Sequence, residues 1–149
     1  DRVNMSKKNV LFVCEMNTCR SQMAEGWAHS LHSDKVNAFS AGISTGLLDP
    51  LAVKVMKEVG IDISGHEVHA VKDFLQEDID WVITVCDTAA KQCPNFPPEV
   101  NVICQSFDNP PELVRNLEDE NDKLAVYRRV RDEIKSFVEQ LPENLMVND

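Results

Sequence analysis

After Asn9, the run Val10-Leu11-Phe12-Val13-Cys14 is apolar at every position rather than at alternate ones. A strand of that kind must be covered on both faces, which is the condition of a parallel sheet sandwiched between helices. Ile79–Val85 (IDWVITV) repeats the feature, and Val36–Ala41 and Val102–Phe107 supply two more short strand-like runs. Between them the apolar spacing changes to that of helices. From Ser21 it falls at Met23, Ala24, Trp27, Ala28 and Leu31, with Glu25 placed to favour the helix dipole. Asp49-Pro50 reads as a cap followed by proline at the first helical position, and Gly60 stands where a C-terminal glycine cap belongs. Leu51, Val55, Met56 and Val59 form the expected buried face of that helix. Val71–Leu75 is a short helical candidate, and Val126, Tyr127, Val130, Ile134, Phe137 and Leu141 trace a last amphipathic helix. Strands alternating with helices predict an α/β fold, a parallel sheet flanked by helices. Ligands of such sheets bind beyond the carboxyl ends of the strands, where Cys14, Cys86 and Asp108 all fall.

Cys14-Glu15-Met16-Asn17-Thr18-Cys19-Arg20-Ser21 joins the first strand to the first helix and has the form C-x5-R-S. Backbone N–H groups of a tight loop at a helix N-terminus converge on one point, where a tetrahedral oxyanion fits. Arg20 can clamp two of its oxygens. The same field stabilises a thiolate at Cys14 and makes it a nucleophile, with Ser21 placed to hydrogen-bond the sulfur. Asn17 tolerates the left-handed backbone that such a cradle needs. The competing structural reading makes Cys14 a buried strand-end cysteine and Arg20 a surface charge; the strand before and the helix after weigh against it.

With 149 residues and 43% hydrophobic content, the chain can bury a core without disulfides or a metal. No apolar stretch approaches the roughly 20 residues of a membrane span. Twenty-five acidic residues against 15 basic ones give a net charge of −10, unsuited to general nucleic-acid binding. A small anion is still admissible, because charges farther off than about 8 Å are largely screened. Five cysteines, an odd number, with no visible secretory signal argue against a disulfide scaffold and for a cytoplasmic setting. One domain over residues 5–149 is expected, and residues 1–4, ahead of Met5, are set aside as a candidate expression remnant.

The loop, continued by Gln22-Met23-Ala24-Glu25-Gly26-Trp27, resembles the thioredoxin-coupled arsenate reductases built on the low-molecular-weight tyrosine phosphatase fold. The resemblance extends through Ser40-Ala41-Gly42-Ile43, Met56–Ser64, Val85-Cys86 to Cys93-Pro94, and Arg129–Ile134, which is nearly the whole chain after Met5. It implies a four-stranded parallel sheet in a Rossmann-like three-layer sandwich, and reduction of arsenate to arsenite. Phosphate and sulfate would compete for the loop, formed by Glu15, Met16, Asn17, Thr18, Cys19 and Arg20. A monomer without a tightly bound cofactor or metal is expected, with thioredoxin as electron donor.

A phosphatase needs one cysteine; the pair Cys86 and Cys93 is what resembles the reductase branch. The resemblance implies that Cys14 attacks arsenate, Cys86 resolves the adduct as a Cys14–Cys86 disulfide, and Cys93 takes over as a Cys86–Cys93 disulfide. Were the intervening segment helical, its ends would lie about 10 Å apart. A disulfide needs Cα atoms within roughly 7 Å, so the segment would have to unwind on oxidation. A zinc knuckle is disfavoured by the spacing of this pair. Cys19 and Cys104 read as packed residues.

Three features depart from the family. Phosphatases carry Asp-Pro as general acid and the similar reductases Asp-Asp-Pro, whereas this chain has Asp108-Asn109-Pro110. An amide delivers no proton, so Asp108 is the substitute donor in view. The tyrosine pair that follows the acid in many such phosphatases is absent. A monovalent cation is held in some members by Asn, Glu, Ser and Asp; the matches are Asn17, Glu25 and Ser40, with His69 at the Asp position. Imidazole suits such an ion poorly. His66 and His69, three apart with no third ligand in view, read as solvent-exposed, and Trp27 and Trp81 as core. The alternatives are a low-molecular-weight tyrosine phosphatase, a glutathione/glutaredoxin-coupled reductase, and a non-catalytic oxyanion or thiol-redox sensor.

Overall fold

The computed structural model describes residues 7–141. The ends of the expected domain, residues 5–6 and 142–149, lie outside that range, as do residues 1–4. Four strands, β1 (Lys8–Cys14), β2 (Val36–Gly42), β3 (Trp81–Thr84) and β4 (Asn101–Cys104), pair in the order β2-β1-β3-β4. All three pairings are parallel. The helices are α1 (Arg20–His32), α2 (Pro50–Glu58), α3 (Asp87–Gln92), α4 (Pro110–Leu113) and α5 (Glu120–Glu139), with a 3-10 turn at Val71–Phe74. No helix among the described residues is long and apolar enough to cross a membrane.

Core strand β1 is covered on both faces: Val10, Leu11, Phe12 and Val13 have no exposed surface. Trp27 and Trp81 are both buried, and the Trp27 indole N–H donates to the Arg131 carbonyl 3.0 Å away, tying α1 to α5. The order of strand addition reverses at β1: the chain goes first to β2 on one side, then to β3 on the other. This switch opens a crevice at the carboxyl end of β1, where Cys14 sits.

Helix α2 forms as its end signals dictate. The Asp49 carboxylate accepts from the Leu51 N–H at 3.0 Å, and Pro50 opens the first turn. At the other end Gly60 takes φ +83. Its N–H donates to the Lys57 carbonyl and that of Ile61 to the Met56 carbonyl, which is the paired closure of a glycine-capped helix.

Elsewhere the structure corrects the sequence reading. Strands β3 and β4 are shorter than the apolar runs that mark them, and β4 is an edge strand with exposed Val102. Cys104, expected in the core, is exposed for the same reason. On α2, Val59 is exposed at the cap, and Ala52 takes the buried place beside Val55 and Met56. Arg131 is buried amid the apolar stripe of α5, donating to the Val55 carbonyl at 2.9 Å and pairing with Glu58 at 3.0 Å. A charged residue inside a periodic stripe carries no hydrophobic signal, so the pattern misses it.

Candidate active site

Four loop carbonyls accept from the strap of residues 43–49: Cys14 from Ile43, Glu15 from Ser44, Met16 from Gly46 and Thr18 from Asp49, at 2.8–3.1 Å. In a trans peptide the next N–H points opposite to its carbonyl. The amides of Glu15, Met16, Asn17 and Cys19 therefore turn to the other side of the loop. The Asn17 N–H shows the result, reaching Cys14 Sγ at 3.3 Å. Asn17 holds φ 59, the left-handed conformation expected of it. Gly42 permits this arrangement: a Cβ there would lie 2.6 Å from the Asn17 nitrogen and 2.3 Å from the Ser44 carbonyl oxygen.

Ser21 lies in the first turn of α1, whose cap position is taken by Cys19. Its hydroxyl accepts from Asn17 Nδ2 at 2.8 Å, which leaves its proton for Cys14 Sγ, also 2.8 Å away. Asn17 Nδ2 also donates to Ser40 Oγ at 3.0 Å, and Ser40 donates to Glu25 Oε1 at 2.5 Å. Asn17 Oδ1 is filled by the His69 N–H and Gln22 Nε2. Asn17 thus braces the loop from behind. His69, at the position where the family carries Asp, offers imidazole, which suits the monovalent cation of the family poorly.

Cys14, Glu15, Met16, Thr18, Cys19, Arg20, Asn109 and Pro111 line a cavity of about 110 Å³. An adjoining cleft of about 250 Å³ shares Glu15, Arg20 and Asn109 with it and contains Cys86. Arg20 is buried between the two, with Nη1 fixed on the Phe107 carbonyl at 3.0 Å. Cys14 and Cys86 therefore open onto neighbouring spaces around one guanidinium.

Cys86 caps α3, its Sγ accepting from the Ala89 N–H at 3.4 Å, and Cys93 closes the same helix. Burial pushes the Cys86 thiol up, opposed by the Ala89 amide and Arg20. Burial also raises the Cys93 thiol, with Cys104 adding to the effect. Cys19 is buried and its thiol is held well above the usual range, first by burial and then by Asp49, which keeps it protonated.

Asp108 lies in the Cys86 cleft, exposed and ion-paired with Arg129 at 3.1 Å. Asn109 is the residue that lines the Cys14 cavity, and its side chain makes no cap bond to α4. The structure thus keeps the expected donor, Asp108, out of the Cys14 cavity. His66 and His69 are half-buried rather than exposed. His66 bonds Gln22 Oε1 at 2.9 Å, and His69 packs edge-on against Phe74. The sequence spacing that paired these two histidines gives no hint that His66 faces α1.

The family model described as low molecular weight phosphotyrosine protein phosphatase matches residues 9–148. The chain is 43% identical over 139 residues to the arsenate reductase of Bacillus licheniformis, covering 93% of this chain and 98% of that one. A solved arsenate reductase in its phosphate binding state is similar with TM-score 0.70 and 38% identity, over 93% of this chain and 98% of the other. An arsenate reductase in its oxidized state is similar with TM-score 0.75 and 34% identity, with the same coverage.

Proposed function

Because the chain belongs to the low molecular weight phosphotyrosine protein phosphatase family and has arsenate reductases among its relatives, we propose that it reduces arsenate to arsenite. The observation that carries this reading is the placement of two cysteines, Cys14 and Cys86, on adjoining cavities that share Arg20. A hydrolase would have use for the first alone.

Arsenate enters the Cys14 cavity, where the inward amides and Arg20 hold its oxygens. The Cys14 thiolate, accepting from Ser21 and the Asn17 N–H, attacks arsenic and displaces water, giving a thiol ester of arsenic(V). The Cys86 thiolate then attacks Cys14 Sγ. The S–As bond breaks, its electron pair passes to arsenic, and arsenite leaves from a Cys14–Cys86 disulfide. Cys93 attacks Cys86 Sγ, expelling the Cys14 thiolate and forming a Cys86–Cys93 disulfide. An external dithiol of the thioredoxin class reduces that bond by exchange and ends oxidised itself. Cys86 and Cys93 rest as thiols, so each must lose its proton before it attacks.

Helix α3 connects the last two cysteines, and as a helix it keeps them about 10 Å apart along its axis. Closing the second disulfide requires it to unwind. Six residues make a helix of marginal intrinsic stability, which favours that change.

Arsenate-dependent NADPH oxidation with thioredoxin and thioredoxin reductase tests the proposal, with a Cys86→Ser variant alongside. The wild type should turn over, and the variant should stop after covalent capture at Cys14. Turnover undiminished in Cys86→Ser, or neither a Cys14–Cys86 nor a Cys86–Cys93 disulfide in tryptic maps after arsenate, would overturn the cascade. Activity with glutathione and glutaredoxin alone would remove Cys93 from it.

A further inference from the structure

A second constellation of side chains lies behind the active-site loop, on the far side of Asn17. Glu25 and His29 stand four residues apart on α1 and so share one face of the helix. His66 approaches that face from the segment after α2. Glu25 Oε2 lies 3.6 Å from His29 Nε2 and 3.8 Å from His66 Nδ1, and the three atoms all fall within 4.8 Å of one another. We propose that Glu25, His29 and His66 form a binding site for a divalent transition-metal ion, with zinc as the ion best matched to the donors.

The donor set argues for that class. Two imidazoles and one carboxylate suit zinc and its neighbours, and leave a fourth position for water. Ligand atoms about 2.0–2.2 Å from a tetrahedral ion stand about 3.3–3.6 Å from each other. The Glu25–His29 separation already meets this range, and the Glu25–His66 separation exceeds it by a few tenths of an ångström, which side-chain torsions can absorb. Glu25 is oriented beforehand: Oε1 is held by Ser40, which leaves Oε2 directed to the histidines. A bound ion would add to that hydrogen bond rather than compete with it.

The surroundings admit an ion and its water. A cavity of about 150 Å³, lined by Glu25, Ser40, His66 and His69 among others, opens beside the cluster. The Glu25 and His66 side chains are 15% and 19% exposed and that of His29 47%, so the site is sheltered on one side and open to solvent on the other. His29 Nε2 lies 3.0 Å from the Ala38 carbonyl oxygen and His66 Nδ1 2.9 Å from Gln22 Oε1. Both oxygens accept, so both nitrogens carry protons without metal. Each ring must move that proton to its other nitrogen to coordinate, and each carbonyl is left facing the ion's outer shell.

The test must separate this site from the five cysteines, which also bind zinc. Zinc chloride titrated into the reduced full chain, followed by long-range imidazole ¹H–¹⁵N correlation spectra, does so. Of the four histidines, His29 and His66 should show large shifts at Nε2 and Nδ1, with His32 and His69 little changed. In parallel, His29→Ala and Glu25→Gln should each weaken zinc binding by more than the roughly 10–100-fold typical of losing an outer-shell partner. Zinc uptake that moves no imidazole resonance, as capture by thiolates would, overturns the proposal. So does a response confined to His66 and His69. The spectra of the unmodified chain decide this even if a variant folds poorly, and they hold whether or not arsenate is the substrate.

Discussion

Asn109 faces the Cys14 cavity just before Pro110, and its amide has no proton to deliver. Its side chain lines the Cys14 cavity and is not spent on capping α4. Asp108, one residue earlier, is ion-paired with Arg129 in the neighbouring cleft. Asn109→Asp should therefore place a general acid beside the Cys14 cavity. The expected outcome is a rise of about 100-fold or more in aryl phosphate hydrolysis, the usual worth of a positioned acid. It is read with p-nitrophenyl phosphate, and an unchanged rate would show that proton delivery does not limit hydrolysis here. Cys19 illustrates the opposite case. It shares the loop with Cys14 but is buried near Asp49, which keeps it a thiol and outside nucleophilic chemistry.

At the level of elements, α3 is the part most exposed to change. It is six residues long, contributes only Ala89 to the core, and is bounded by two cysteines. Amide hydrogen exchange measured on the reduced protein and on the protein oxidised by arsenate should differ most over residues 87–92. Protection there should fall on oxidation, whereas that of β1 should hold. Equal protection in both states would mean that the disulfide forms without the helix opening. Helix α1 is the counterweight. Its N-terminal turn carries Arg20 and Ser21, and one and two turns on, Glu25 and His29 face the proposed metal site. One rigid element thus joins both constellations, and the chain Glu25–Ser40–Asn17–Ser21–Cys14 links them by hydrogen bonds.

For the molecule as a whole, long-range ties between helices fix the frame on which the loop is strung. The Tyr127 hydroxyl on α5 donates to Asp49 Oδ2 at 2.5 Å, while Oδ1 of the same carboxylate caps α2. Burial and this bond raise the Tyr127 phenol far above its ordinary range, so it remains a donor throughout physiological pH. Asp49 also donates its N–H to Thr18 in the active-site loop, so one residue ties α5, α2 and the loop together. Tyr127→Phe should lower unfolding free energy by about 1.5–3 kcal/mol, the range for a hydrogen bond to a charged group. Urea unfolding at unchanged m-value measures it. A loss below about 0.5 kcal/mol would show that water replaces the hydroxyl without cost.

The net charge of −10 plays little part in anion capture. The cleft beside the loop is itself acidic, with Glu15, Asp87, Asp108 and Glu112 around Arg20. In the proposed reaction, anion affinity rests instead on a few inward amides and one guanidinium, which act at hydrogen-bond range where screening is weakest.

Sequence alone determined what is settled within a few residues. The apolar run of β1, the C-x5-R-S loop and the amphipathic α1 follow one another, and their order places Cys14, Arg20 and Ser21 at one junction. Asp49-Pro50 and Gly60 set the ends of α2 through local hydrogen bonds and one positive φ. Contacts between distant segments depend on the strand order β2-β1-β3-β4, which hydrophobic periodicity does not encode. That order put β4 at an edge and Cys104 in solvent, turned Asn109 rather than Asp108 toward Cys14, and brought His66 to Glu25 and His29 instead of leaving it with His69. Local chemistry acts through the backbone between near neighbours. The meeting of residues 41 positions apart is decided only when the layers pack and bury their shared apolar faces.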